Sequence, residues 1–132
     1  MESLKIRTGL ISLKIVDDAG EERGIFTFNP EDIESAKRVI GLQAELERKQ
    51  AEFDSKAESC ETDEEKINLL CEAVEYLEDL IDKCFGAGTS ALLFGDAKTL
   101  SMFSDFFEGI TPYYEKASKE RMSKYAKKPA KK

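Results

Sequence analysis

The spacing of apolar residues between Thr62 and Cys84 constrains the fold of this chain more than any other feature. Thr62-Asp63-Glu64-Glu65 has the order of a capping box, in which Thr62 caps a helix and Glu65 reaches back to it. Apolar side chains then alternate at spacings of three and four residues, at Ile67, Leu70, Val74, Leu77, Ile81 and Cys84. This pattern predicts an amphipathic helix that ends near Cys84.

A second long helix is predicted directly upstream, over residues 30–59. Asn29 can cap its free amides, Pro30 suits the first helical position, and Glu31 and Asp32 favour the positive end of the helix dipole. Its later half has few apolar residues, so we expect solvent on most sides there. The two helices are predicted to form an antiparallel hairpin, and a helix of about 30 residues spans roughly 45 Å, so part of it should project.

The segment before these helices has the pattern of a β-hairpin. Residues 4–16 are predicted as strand because Ile11, Leu13 and Ile15 alternate with other side chains. Residues 17–22 are polar and contain glycine, which predicts the loop, and residues 25–28 return as a short strand. Since a lone hairpin is marginal in water, it must pack on helices, gain a third strand from residues 4–8, or pair with a partner chain.

Three short helices are predicted after the helical hairpin. The first covers residues 90–94, capped by Thr89 or Ser90; the second covers 97–108, capped by Asp96 and stopped by Gly109; the third covers 112–126 and opens at Pro112. The fold class is therefore α+β and mostly helical. We predict one domain over 1–126, made of a β-hairpin (1–28), a helical hairpin (29–84) and an aromatic-rich helical module (85–126), followed by a basic flexible tail (127–132).

Charge is unevenly distributed along the 132 residues, whose formal net charge is −7. Residues 115–132 hold eight basic and two acidic side chains, a net +6, so the first 114 residues carry the remaining −13. Residues 45–82 hold 14 acidic and 4 basic side chains, a net −10. An acidic body argues against nucleic acid as a partner, since phosphate binding needs clustered Lys and Arg. No apolar run approaches the roughly 20 residues of a membrane-spanning helix, so no membrane partner is expected.

The sequence offers little for catalysis. It contains no His, which excludes Ser-His-Asp and Cys-His nucleophile pairs and His-ligated zinc. The three cysteines, Cys60, Cys71 and Cys84, form no C-x-x-C motif and are expected to be reduced, with the last two buried as structural thiols. The glycine-rich Gly86–Ser90 lacks the lysine of a phosphate-binding loop. We therefore predict a protein that is not an enzyme and has no catalytic, cofactor-binding or metal-binding residues.

The stretch from Phe85 to Tyr114 holds five of the eight phenylalanines. On a helix over 97–108, Leu100, Phe103 and Phe107 share one face, while Met102 and Phe106 share another. A helix that is apolar on more than one side is either buried or a site for a partner. Both alternatives stay open here, and the candidate partner-binding residues are Leu92, Leu93, Phe94, Met102, Phe103, Phe106, Phe107, Tyr113 and Tyr114.

Three stretches together resemble tail assembly chaperones, small proteins of siphophages and prophages of Gram-positive bacteria. They are FTFNPEDI at the end of the β-hairpin, the acidic helical middle, and CFGAGTSALLFGD with FFEGITPYYEKA between Cys84 and Ala117. The resemblance implies a non-enzymatic protein in the cytoplasm of the bacterial host. It would bind helical segments of the tape measure protein and keep that protein soluble during tail assembly.

The resemblance also makes the tail tube protein a further candidate partner, and it leaves homo-oligomerisation open. The alternative function is that of a structural virion component, such as a minor tail protein or a head–tail connector. A third interpretation, a small regulator that uses its basic tail on nucleic acid, would show a steep dependence of binding on salt.

Overall fold

A computed structural model describes residues 1–127 of the chain, and within them an antiparallel β-hairpin precedes four helices. This confirms the predicted mostly helical α+β fold class. The hairpin strands are β1 (Ile11–Val16) and β2 (Glu22–Phe28), and the helices are α1 (Ile33–Ser59), α2 (Asp63–Phe85), α3 (Thr89–Phe94) and α4 (Ser101–Lys127). The predicted basic tail over 127–132 lies outside the described residues except for Lys127, which ends α4.

The two strands pair in a register that runs from Ile11 opposite Phe28 to Val16 opposite Glu22. Asp17 holds the connecting turn, since its Oδ1 accepts hydrogen bonds from the amides of Ala19 (2.9 Å) and Glu21 (3.0 Å). Residues 1–10 form no strand, so the third strand considered over residues 4–8 is wrong for the single chain. The hairpin instead satisfies another of the predicted alternatives and packs on helices.

The core is a cluster of aromatic and aliphatic side chains that joins the β-hairpin to α2, α3 and α4. Phe26 stacks on Phe28 with ring centroids 5.1 Å apart and meets Phe106 of α4 edge-on at 5.5 Å. Such pairs contribute beyond the area that they bury. The buried members of the cluster are Phe26, Phe28, Val74, Ile81, Phe94, Phe103, Phe106 and Ile110.

The helical hairpin begins and turns at polar caps. Asp32, rather than Asn29, caps α1: its Oδ1 accepts from the amides of Glu34 (2.9 Å) and Ser35 (3.3 Å). Asn29 holds the preceding turn, where its side-chain oxygen accepts from the amides of Glu31 and Asp32. The predicted cap of α2 is confirmed, since the Thr62 hydroxyl accepts from the Glu65 amide at 3.1 Å. The Glu65 carboxylate reaches the Glu61 amide, one residue before the cap.

The start of α3 differs from the prediction, because no side chain at its own N-cap satisfies its amides. Gly88 occupies the cap with φ +87°, a conformation that suits glycine. Asp82 of α2 supplies the missing acceptor, with one oxygen on the Ser90 amide (2.8 Å) and the other on the Ser90 hydroxyl (3.1 Å). Local sequence rules could not find this cap, since Asp82 lies eight residues upstream.

The last two predicted helices, over 97–108 and 112–126, are one continuous helix, so the prediction of three short C-terminal helices is wrong on that point. Asp96 does not cap it, Gly109 does not stop it, and Pro112 lies inside it. Proline deprives the carbonyl four residues before it of a donor and usually kinks a helix. Here Ile110 and Ala117 are buried on either side of Pro112, and this tertiary packing keeps the helix continuous.

Replacing Ile81 with Ala should destabilise the fold strongly. Ile81 is 1% exposed and belongs to the core cluster, so its truncation leaves a cavity that costs about 3 kcal/mol of unfolding free energy. Urea denaturation monitored by circular dichroism measures the loss. Ile67→Ala on the same helix is the matched control, because Ile67 is 59% exposed. Equal effects of the two substitutions would contradict the assigned core.

Candidate partner-binding groove

An open apolar groove of about 540 Å³ lies between the distal part of the helical hairpin and the beginning of α4. It arises because the core cluster covers only the end of the helical hairpin near the sheet. Beyond that end the apolar stripe of α2 continues, and Leu70 on this stripe remains 46% exposed. Leu100, directly before α4, is 45% exposed. The apolar residues that line the groove are Leu46, Phe53, Ala57, Leu69, Leu70, Ala73, Leu77, Leu100, Phe103 and Phe107, together with Tyr76.

The charged side chains that line this groove are Lys49, Asp54 and Glu108. Lys49 lies over the Tyr76 ring, with its Nζ 4.7 Å from the centroid, and it also donates to Glu52 at 3.3 Å. The positive charge inside the groove is thus already engaged by an aromatic face and a carboxylate. The segment that supplies both long helices of the groove, residues 45–82, carries the net −10.

A polar contact beside the groove joins α1 to α2. The Glu45 carboxylate accepts hydrogen bonds from the Arg48 guanidinium and from the Tyr76 hydroxyl. The bond from Arg48 and then the bond from Tyr76 lower the pKa of Glu45 to about 2. The bond to Glu45 in turn raises the pKa of Tyr76. The carboxylate therefore stays charged at all physiological pH values and orients the Tyr76 ring that lines the groove.

The structure places the sequence-predicted partner-binding residues in the core, against the β-hairpin, in the groove and at a second opening. Phe94, Phe103 and Phe106 are buried in the core, and the other predicted residues pack against it half-buried. Phe103 and Phe107 also line the groove, whereas Tyr113 and Tyr114 pack against Phe28, which they contact at centroid distances of 5.6 and 5.9 Å. Leu92 lies under β2, so close that a Cβ added at Gly24 would meet its Cδ1 at 2.7 Å.

A second opening, which we call the edge cavity, is bordered by the two remaining predicted residues, Leu93 and Met102. It has a volume of about 760 Å³ and lies between the end of β1 and the beginning of α4. Its apolar lining includes Ile15, Val16, Leu93, Phe94, Met102 and Phe106. The two apolar faces predicted for the 97–108 helix therefore serve different surfaces, since Leu100, Phe103 and Phe107 line the groove while Met102 and Phe106 line the edge cavity.

Sequence reasoning did not single out most of the groove. Leu46, Phe53, Leu69 and Leu70 are apolar residues of the two long helices, and nothing in a helix stripe says how far along it a neighbouring element extends. The prediction of two buried cysteines is wrong for Cys71, which is exposed, while Cys84 is partly buried. Burial raises the pKa of the Cys84 thiol, which makes it less reactive.

Residues 1–127 hold neither a metal-binding cluster nor a membrane-spanning helix. No three His, Cys, Asp or Glu side chains in this part of the chain converge into a group that would hold a metal ion. None of its helices combines the length and the hydropathy needed to cross a bilayer.

Comparison with known proteins places the chain in a sequence family. The sequence model of a family described as "Family of unknown function (DUF6673)" matches residues 22–132. No curated protein and no solved structure matched the chain. The match includes β2 and all four helices, and with them every apolar residue that lines the groove.

Removing the Arg48 guanidinium should raise the pKa of Glu45 from about 2 toward 4.5, because Arg48 is the main cause of the depression. Tyr76→Phe should raise the pKa of Glu45 by less, because the bond from Tyr76 is the second cause of the depression. A carboxyl whose folded pKa is depressed stabilises the fold above its unfolded pKa, and this contribution is lost as pH falls through the folded value. Side-chain carbon NMR over an acid titration of Arg48→Ala measures the shift, with Lys124→Ala as the remote control. An unchanged Glu45 pKa in Arg48→Ala would contradict the assigned contact.

Proposed function

The chain belongs to the family described as "Family of unknown function (DUF6673)", and we propose that it is a non-enzymatic assembly chaperone that binds helical segments of a phage tape measure protein. The proposal rests above all on the open apolar groove between α1, α2 and α4. Binding to such a groove would keep an apolar helix face out of water until assembly, which is the activity that the resemblance to tail assembly chaperones implies.

The dimensions of the groove suit a helix. Its lining on α2 runs from Leu69 to Leu77, and the eight steps between these two residues rise about 12 Å. A bound amphipathic helix that presents apolar side chains at positions i, i+3 or i+4, and i+7 covers nearly the same length. Two turns of partner helix therefore match the apolar floor, and Leu70 and Leu100 are exposed where such anchors would contact it.

Charge favours a partner helix with basic flanks. The groove is built from the most acidic part of the chain, with 14 acidic and 4 basic residues between positions 45 and 82. Complementary potentials speed encounter and select partners more than they add affinity. We therefore infer that the groove recognises a partner helix with apolar anchor side chains and with Lys and Arg beside these anchors. Tail tube protein is a second binding partner in this proposal.

The proposal is tested by co-expression of the full chain with the tape measure protein of the same phage or prophage. The chain should increase the soluble fraction of the tape measure protein and co-purify with it. Leu70→Glu and Leu100→Glu place a charge in the apolar contact and should each weaken binding about tenfold or more, measured by calorimetry with a soluble tape measure segment.

Ile40→Glu is the matched control for these two substitutions, because Ile40 is an exposed apolar residue of α1 that does not line the groove. Circular dichroism shows whether each variant keeps its fold. If the chain neither binds nor solubilises the tape measure protein, the proposal is wrong. Abundant copies of the chain in purified virions would favour the structural virion component instead, since a chaperone leaves before the particle is complete.

A further inference from the structure

Residues 1–10, which we call the N-terminal arm, expose large apolar side chains with the period of a β-strand. Leu4 is 86% exposed, Ile6 is 69% exposed and Leu10 is 62% exposed. Because successive side chains of an extended chain point to opposite faces, Leu4 and Ile6 would fall on one face of a strand. The arm thus has the pattern of a half-buried strand but pairs with no strand in the part of its own chain that the structure describes.

The sheet of the described residues, in turn, has only two strands and an open edge. β1 pairs with β2 on one side, and within residues 1–127 its outer edge has no backbone partner. A two-stranded sheet with an open edge is a template for another strand. The end of β1 borders the edge cavity, whose apolar lining of Leu93, Met102 and Phe106 continues the inner face of the sheet beyond that end. An added strand would find both free backbone groups and apolar surface there.

The arm of the same chain is held away from this edge. The side-chain amide of Asn29 donates to the Thr8 carbonyl at 2.6 Å, and Asn29 directly follows β2. Gly9 turns the chain at φ +93°, where an added Cβ would lie 2.8 Å from atoms of Asn29 and Glu31. Arg7 then lies beside Glu31 and Ile33 at the beginning of α1. The arm therefore leaves the sheet on the β2 side, opposite the open edge.

Charge and side-chain alternation both match the arm to the edge of another copy. The arm carries Lys5 and Arg7 between its apolar residues, while the edge cavity is lined by three acidic side chains, Asp17, Asp18 and Asp105, and by two basic ones, Lys14 and Arg23. We propose that the N-terminal arm of one copy adds as a third strand to β1 of a second copy. Leu4 and Ile6 would then lie on the same face as Leu13 and Ile15, over the edge cavity. This inference does not depend on the proposed function.

The self-association of the full chain tests this proposal. Analytical ultracentrifugation over a range of concentrations should show dimers or larger species of the wild-type chain. The double variant Leu4→Glu/Ile6→Glu should lower the association constant at least about tenfold, because two apolar contacts are lost. Ile40→Glu/Ile67→Glu is the matched control, since it changes two exposed apolar residues outside the edge cavity and should leave association unchanged.

A mixing experiment tests whether the arm contacts the edge rather than another arm. Asp18→Lys/Asp105→Lys repels the basic arm but keeps the arm of its own chain intact, and it should also impair association. When this variant is mixed with Leu4→Glu/Ile6→Glu, one intact arm meets one intact edge, so heterodimers should form in native mass spectrometry although neither variant associates alone. A wild-type chain that stays monomeric at high concentration, or a mixture without heterodimers, would overturn the proposal.

Discussion

The packing of Phe26 and Phe28 against α4 is the interaction on which the rest of the structure depends. A hairpin of two short strands is marginal in water, and these two side chains anchor it to the helices. Phe28 also meets Tyr113 and Tyr114, so the aromatic contacts extend along α4 on both sides of Pro112. The same contacts thus close the core, stabilise the hairpin and keep α4 continuous where its local sequence favours a break.

The position of this core also decides where the surface remains apolar. The core covers the end of the helical hairpin near the sheet and leaves apolar side chains of its distal part uncovered. These side chains form the groove. On the other side of α4, the space between its first turns and the end of β1 forms the edge cavity. Because α4 is apolar on more than one face, it contributes to the core and to both openings. The two proposed interaction surfaces are therefore consequences of how one helix is packed.

These surfaces suggest different kinds of association. The groove is apolar, about two helical turns long and built from an acidic segment, which suits an amphipathic helix with basic flanks. The edge cavity lies beside the outer edge of β1, which has no backbone partner within residues 1–127 and so suits an added strand. Since the groove and the edge cavity have no lining residue in common, a copy that receives an arm on β1 would keep its groove free. Self-association and partner binding would then be compatible in one assembly.

The sequence alone determined the elements whose signals are local: the cap at Thr62, the apolar stripe of α2, the turn after β1 and the mostly helical α+β class. It also determined the absence of histidine chemistry and the acidic character of residues 45–82. Three features became visible only in the folded chain: α4 runs through Gly109 and Pro112, Asp82 caps α3, and Phe94, Phe103 and Phe106 belong to the core. Each of these depends on contacts between residues far apart along the chain or on packing that overrides local propensity, which neither periodicity nor capping rules can supply.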